Sequence, residues 1–323
     1  MNIVLSILVF VLILIFIIAI RRRNISSNKS SIKNIIEKID RYNSQNPTDY
    51  KLEYPIFYIN MDKHEERRLH IETQLEKVSD KYHRVPGFNG YLIQNTLNDN
   101  IGGVEFKNFY KKLKKPEIGC CISHILAIKQ AYESGAEIAM ICEDDIYLGT
   151  YSIIPKLSEV TSKVPENWEI LQLYCIFNNS MFNRHQKKYK KFIENDIDKD
   201  YIFVKREYPK TAFTTNLAYL INRKGMQKIL DKVYGGTDII HIKPVLNTKN
   251  KVYPPKGQAD FFLYDLVDNC YAILPNLFFP NNAELESTIH IDHTALHLES
   301  SATAIKFFDN LLSKKINQLN HNK

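Results

Sequence analysis

Apolar residues fall along this chain in two rhythms. Short, almost wholly apolar runs occur at Ile56–Asn60, Ile138–Cys142, Ile170–Tyr174 and Ala218–Ile221. Between them lie longer stretches whose apolar positions recur every three or four residues, over about Lys63–Val78, Ile118–Glu133 and Arg223–Val233. The first rhythm predicts strands covered on both faces and the second predicts helices. Their alternation predicts an α/β fold with a mainly parallel sheet covered by helices. Residues 178–200 are polar and charged, and read as a loop or insertion.

The two ends carry different patterns. Ile3–Ile20 is an 18-residue run whose one polar member is Ser6, and as a helix it would span roughly 27 Å of a ~30 Å hydrocarbon core. No positive charge precedes it and Arg21, Arg22 and Arg23 follow at once, so it reads as an uncleaved transmembrane anchor in the lipid bilayer. The positive-inside rule then puts the catalytic domain on the cytosolic side. A lumenal domain stays open, since Asn24, Asn28 and Asn178 each begin an N-glycosylation pattern. Residues 21–50 form a stem in which Ile32, Ile35, Ile36 and Ile39 keep helical spacing, with Ser30 or Ser31 as cap. Asn46-Pro47-Thr48-Asp49 breaks that helix, a catalytic domain follows over 51–300, and 301–323 is a helical tail.

Composition narrows the class. Apolar residues make up 44% and charged residues 24%, ordinary values for a globular protein of 323 residues. The formal net charge is +7, of which the three arginines after the apolar run account for three. Lys111, Lys112, Lys114 and Lys115 form one basic run, but no basic patch is interleaved with aromatics, so nucleic acid is not a partner. Cys120, Cys121, Cys142, Cys175 and Cys270 are odd in number and irregular in spacing. They read as buried thiols rather than a zinc site or a disulfide framework.

The chemistry concentrates where Ala136–Cys142 runs into Glu143-Asp144-Asp145. Ligands of open α/β sheets bind beyond the carboxyl ends of strands. Three adjacent carboxylates there repel one another unless something positive sits among them. A hard divalent cation, Mn²⁺ or Mg²⁺, held with substrate phosphates is one solution. A solvated acidic turn is the other.

Several further segments surround the triplet: Tyr54-Pro-Ile-Phe-Tyr-Ile-Asn-Met-Asp62, Glu65-Glu-Arg-Arg68, Arg84-Val-Pro-Gly-Phe-Asn-Gly90 and Glu117-Ile-Gly-Cys-Cys-Ile-Ser-His124. Downstream lie Trp168-Glu-Ile-Leu-Gln-Leu173 and Tyr219-Leu-Ile-Asn-Arg-Lys-Gly225. In this order the set resembles glycosyltransferase family 25, over about Tyr54 to Ile289. Cys121 and Ile122 depart from the family's stretch of one cysteine followed by Leu-Ser-His.

The resemblance implies a GT-A-like, Rossmann-related sheet and a hexose, galactose or glucose, moved from a UDP-sugar donor to a hydroxyl acceptor on a glycan, lipid-linked sugar or protein. It implies that Asp145 ligates the metal, that Asp144 joins it or contacts the donor, and that Glu143 contacts the donor. Asn60, Asp62, Arg67, Arg68, Asn89, Glu117, Ser123 and His124 are further donor-binding candidates. Arg67 and Arg68 can equally form a charged helix face, and His124 can be an interior histidine. Asp260 in Gln258-Ala-Asp-Phe-Phe-Leu263 stands where the family has its late aspartate, and is the candidate base of an inverting reaction, with Asp265 second. His290 is a candidate third metal ligand, and His293 and His297 lie beside it. A metal-dependent nucleotidyltransferase and a catalytically inert anchored binding module are the competing readings.

Overall fold

The computed structural model describes residues 27, 29–92, 100–101, 104–105, 114–177, 201–207, 213–236, 259–281 and 308–317. The apolar run 3–20, the loop 178–200 and His290, His293 and His297 lie outside the described residues. The chain divides into two compact units, Pro47–Pro280 and Met1–Asn46 with Asn281–Lys323.

The unit Pro47–Pro280 is built on a seven-stranded sheet. Its strands are β1 (Ile56–Asn60), β2 (Tyr82–Pro86), β3 (Ile138–Glu143), β4 (Ile170–Gln172), β5 (Ile202–Lys205), β6 (Ala218–Asn222) and β7 (Cys270–Leu274), in the spatial order β2-β1-β3-β6-β4-β7-β5. β2, β1 and β3 pair in parallel, as do β4 and β7. β6 is antiparallel to both β3 and β4, and β5 is antiparallel to β7. Five strands therefore point one way and two the other, which makes the fold mixed α/β with a largely parallel central sheet. The reversed strand β6 matters for the site. Its first residues stand at the edge where β3 and β4 end, with Cys142 opposite Ala218 and Gln172 opposite Tyr219.

Among the described residues, the helices of seven residues or more that flank this sheet are α1 (Glu65–Val78), α2 (Lys115–Glu133), α3 (Arg223–Tyr234) and α4 (Ala259–Asp265). α1 buries Ile71, Leu75 and Val78 along one face and carries Glu65 and Glu66 in its first turn, where the helix dipole favours acids. α2 begins earlier than the apolar pattern alone predicts, because Pro116 suits a first helical turn and Glu117 Oε2 accepts the backbone N–H of Lys114 at 2.8 Å. It is buried nearly all round, through Ile118, Cys121, Ile122, Ile125, Ala127, Ile128 and Ala131. Such a helix belongs in a core rather than on a surface. α3 is capped by Asn222, whose Oδ1 accepts from Gly225 N at 2.9 Å, and ends at Gly235 in the left-handed region.

Two glycines let the loop after β2 reach α2. A Cβ on Gly90 would stand 1.8 Å from the Lys115 carbonyl oxygen, and one on Gly119 would stand 2.7 Å from the Phe88 carbonyl oxygen. Neither clash has a flexible side chain to yield, so the approach requires glycine on both partners. Ser123 Oγ, one turn further along α2, accepts the Phe88 N–H at 2.8 Å and completes the clip.

In the other unit, residues 29–45 and 308–317 are helical. Ile32, Ile35 and Ile39 are buried as the stem pattern predicts, along with Phe308 and Leu312, and Lys38 Nζ pairs with Asp309 at 2.7 Å. Ser31 does not cap. It lies inside the helix, its Oγ donating to the Ser27 carbonyl at 3.0 Å. Among the described residues no helix is long and apolar enough to cross a membrane.

Candidate active site

Glu143 is the last residue of β3, and Asp144 and Asp145 form the turn beyond it. Hydrogen bonds from two sides hold that turn in place. Glu143 N donates to the Leu217 carbonyl at 2.9 Å, which ties the triplet to the approach of β6. On the far side, the Gln74 side chain of α1 accepts from Leu148 N at 2.8 Å and donates to the Ile146 carbonyl at 3.3 Å.

The three carboxylates face different partners. Asp144 is buried, its Oδ2 accepting from Asn60 Nδ2 at 2.7 Å and its Oδ1 bound by Arg67 Nη2. The same Arg67 nitrogen stands 3.1 Å from Asp145 Oδ2. Asp145 Oδ1 is buried with no hydrogen-bond partner. Glu143 turns instead toward α2, where its Oε1 lies 3.3 Å from His124 Nε2 and 3.9 Å from Cys120 Sγ. Behind that imidazole, Tyr219 of β6 places its hydroxyl 3.3 Å from His124 Nδ1.

Arg67 thus supplies positive charge that the triplet requires. Burial works against its ionisation, but Asp145, Asp144 and Glu143 outweigh that and hold its pKa above the ordinary arginine value. The carboxylates remain under strain. Burial pushes Asp145 up to about 7, against the pull of Arg67 and with further upward pushes from Glu143 and Asp144. Asp144 is also raised, burial outweighing Arg67 and the Asn60 hydrogen bond. One guanidinium among three carboxylates leaves the cluster short of positive charge, and one buried oxygen is unsatisfied. An additional cation bound there would resolve both.

The other candidates separate on these contacts. Asn60 is central, because its Oδ1 also accepts from Arg84 Nε at 3.1 Å. Asp62 is mostly exposed and paired with Arg84. Arg68 pairs with Glu65 at 3.0 Å on its own helix, so of the two arginines Arg67 enters the cluster and Arg68 stays on the charged face. Asn89 Oδ1 accepts from Tyr91 N at 3.1 Å, an Asx turn, while Glu117 caps α2 and Ser123 clips the Phe88 loop to α2. Asp265 Oδ1 accepts from Arg206 Nη2 at 3.1 Å, and burial raises its pKa against the pull of that arginine. Asp260 lies in the first turn of α4. His290 lies outside the described residues.

Sequence reasoning passed over three participants. Arg84 opens one of the segments that carry the resemblance, yet the sequence alone gives it no role. Cys120 and Tyr219 were not selected, although Cys120 and His124 are four residues apart and share a helix face. That spacing is the signal that could have found the cysteine. Tyr219 was hidden because its neighbourhood depends on the reversed direction of β6, which an apolar run does not encode.

No curated protein significantly matches the chain. The family model for Glycosyltransferase family 25, described as LPS biosynthesis protein, does match it, over residues 53–239. That span covers more than half of the 323 residues and contains β1, α1, the clip between the Phe88 loop and α2, the acidic triplet and β6. The chain belongs to glycosyltransferase family 25.

Proposed function

We propose that this glycosyltransferase moves a hexose, galactose or glucose, from a UDP-sugar to a hydroxyl acceptor on a glycan, lipid-linked sugar or protein. In this reading it depends on Mn²⁺ or Mg²⁺ and inverts the donor's anomeric centre on a GT-A-type sheet. The observation carrying the reading is the cluster at the end of β3, three carboxylates against one guanidinium, with Asp145 Oδ1 buried and unpartnered. The donor set on this side is all oxygen and suits a hard divalent ion. Asp145 and Asp144 would hold it. Bound there, the ion would supply electrostatic stabilisation of the diphosphate leaving group.

The chain's own groups account for the rest. Asn60 fixes the Asp144 carboxylate through Oδ2 and is itself fixed by Arg84, so the carboxylate is set before substrate arrives. Arg67, placed between Asp144 and Asp145, has the planar fork that pairs with phosphate oxygens. Gly87 permits close approach of the loop after β2 to Met61, which keeps that loop against the end of β1. Asp260 is the proposed base that takes the acceptor's proton. The family membership favours sugar transfer over the nucleotidyltransferase alternative. Residues 3–20 would anchor the enzyme in a bilayer with the catalytic domain on the cytosolic face.

The test is a panel of UDP-sugars and acceptors incubated with the full chain, with and without Mn²⁺ and EDTA. Transfer from UDP-galactose or UDP-glucose that stops in EDTA supports the reading. Full activity in EDTA overturns the metal assignment, and transfer from another nucleotide sugar alone overturns the donor.

A further inference from the structure

The acidic triplet is split between two helices. Asp144 and Asp145 meet Arg67 of α1, whereas Glu143 meets Cys120 and His124 of α2. The second group has a different donor chemistry. Cys120 and His124 are four residues apart on one helix face, and their ligand atoms lie with a Glu143 oxygen within 4.8 Å of one another. We infer that Cys120 Sγ, His124 Nε2 and Glu143 Oε1 form a binding site for a thiophilic divalent cation of the Zn²⁺ class.

The distances are close to those such an ion imposes. Zinc bonds of about 2.0 Å to oxygen and nitrogen and about 2.3 Å to sulfur, at tetrahedral angles, set nitrogen and oxygen about 3.3 Å apart and sulfur and oxygen about 3.5 Å apart. His124 Nε2 and Glu143 Oε1 are 3.3 Å apart, and Cys120 Sγ and Glu143 Oε1 are 3.9 Å apart. Relative to the carboxylate, the imidazole needs no movement and the sulfur must approach by a few tenths of an ångström, while the sulfur lies within 4.8 Å of the imidazole nitrogen. A mixed sulfur, nitrogen and oxygen set selects zinc over magnesium or manganese, which favour all-oxygen sites.

The surroundings already contain the outer partner a ligating histidine requires. Such histidines bond through their second ring nitrogen, which fixes tautomer and orientation. Tyr219 OH stands 3.3 Å from His124 Nδ1, and a hydroxyl serves both tautomers. Without the ion, Nε2–H donates to Glu143 and the tyrosine donates to Nδ1. With the ion, Nε2 gives its lone pair to the metal and Nδ1–H donates to the tyrosine oxygen. Three protein ligands leave a fourth tetrahedral position for water or a substrate oxygen. Cys120 is partly exposed, whereas Cys121, Cys142, Cys175 and Cys270 are buried.

The experiment uses chelator-stripped full-length protein titrated with Co²⁺, which substitutes for zinc and reports thiolate ligation by a near-ultraviolet charge-transfer band. The expected result is a band that saturates at a single equivalent, is displaced by Zn²⁺ and survives excess Mg²⁺. Cys120→Ser should lose the band and Cys121→Ser should keep it, while Tyr219→Phe should weaken Zn²⁺ binding about 10–100-fold. A band retained in Cys120→Ser, or no band in the parent protein, overturns the site. Should Cys120→Ser fail to fold, alkylation of the unmodified protein decides. Zn²⁺ should slow iodoacetamide labelling at Cys120, and an unchanged labelling rate overturns the site. These readouts involve no sugar transfer, so they stand or fall apart from the proposed reaction.

Discussion

Arg67 Nη2 lies 3.1 Å from Asp145 Oδ2 and also binds Asp144 Oδ1, so one guanidinium bridges two adjacent carboxylates at the end of β3. All three side chains are nearly buried, with 12%, 8% and 13% of the arginine and the two aspartates exposed. At that burial the arrangement cannot be treated as a surface ion pair, because solvent does little to screen it.

The first prediction follows from that bridge. Arg67→Ala leaves buried carboxylates without their cation and should cost about 3 kcal/mol of stability when no metal is present. If a divalent ion can take over the charge, millimolar Mn²⁺ or Mg²⁺ should restore much of the loss. Urea melts of both proteins, with and without metal, measure this. An equal metal effect in parent and variant would mean that the arginine and the ion do not share a site.

The second concerns pH. The Asp145 carboxyl is raised from 3.8 to about 7, chiefly by burial, so the folded state holds its proton more tightly than the unfolded chain does. The sign follows from linkage. Below about pH 4 both states are protonated, and between there and about pH 7 the unfolded state alone ionises, so stability contributed by this group falls as pH rises. Asp145→Asn removes that penalty. Its melting temperature should exceed the parent's at pH 7.5 and converge with it near pH 4, while metal-dependent transfer is largely lost. A constant gap across the range would exclude Asp145 as the titrating group.

Much of this region was legible in the sequence for one reason. Buried strands followed by helices leave strong apolar signals, and Glu143-Asp144-Asp145 interrupts one of them. Hence β1, β3, β4 and β6 stand where the pattern places them, and the triplet lies at a strand end. The edge strand β2 was missed because Tyr82-His-Arg-Val-Pro86 buries only Val85 and lacks an apolar run. β7 was missed as well, although Cys270-Tyr-Ala-Ile-Leu274 is a short apolar run of the kind that marks β3 and four of its five residues are buried. What the sequence could not supply was the partner of each polar side chain. Glu117 and Ser123 are polar residues in a chemically suggestive motif, yet their hydrogen bonds start a helix and hold a loop. Arg67 and Arg68 are neighbours of the same type, and only the helix rotation separates their roles.

The third prediction tests that loop contact. Gly119→Ala introduces a Cβ facing the backbone at Phe88 and Gly90, and Gly90→Ala one facing the Lys115 carbonyl. Overpacking against backbone should cost about 1–3 kcal/mol in each case. Because both changes strain a single contact, the double variant should lose less than the sum of the two. Chemical denaturation of all four proteins gives the coupling. Strict additivity would show that the two glycines relieve different contacts.

The last prediction separates the two late aspartates. Asp265 is engaged by Arg206, whose side chain is only 3% exposed, so Asp265→Asn removes the charge partner of a buried guanidinium. Its main effect should be on stability, about 1–3 kcal/mol. Asp260 lies one turn earlier on α4, a helix held against the approach to β6 by the Tyr264 hydroxyl, which donates to the Thr215 carbonyl at 2.8 Å. If Asp260 is the base, Asp260→Asn should lower turnover roughly 10²–10⁴-fold with UDP affinity nearly intact. An inverting reaction also requires a β-linked product from an α-linked donor, which proton NMR of the product reads directly. Turnover that falls further in Asp265→Asn than in Asp260→Asn, at matched folded fraction, would transfer the role of base. An α-linked product would instead rule out the single displacement itself.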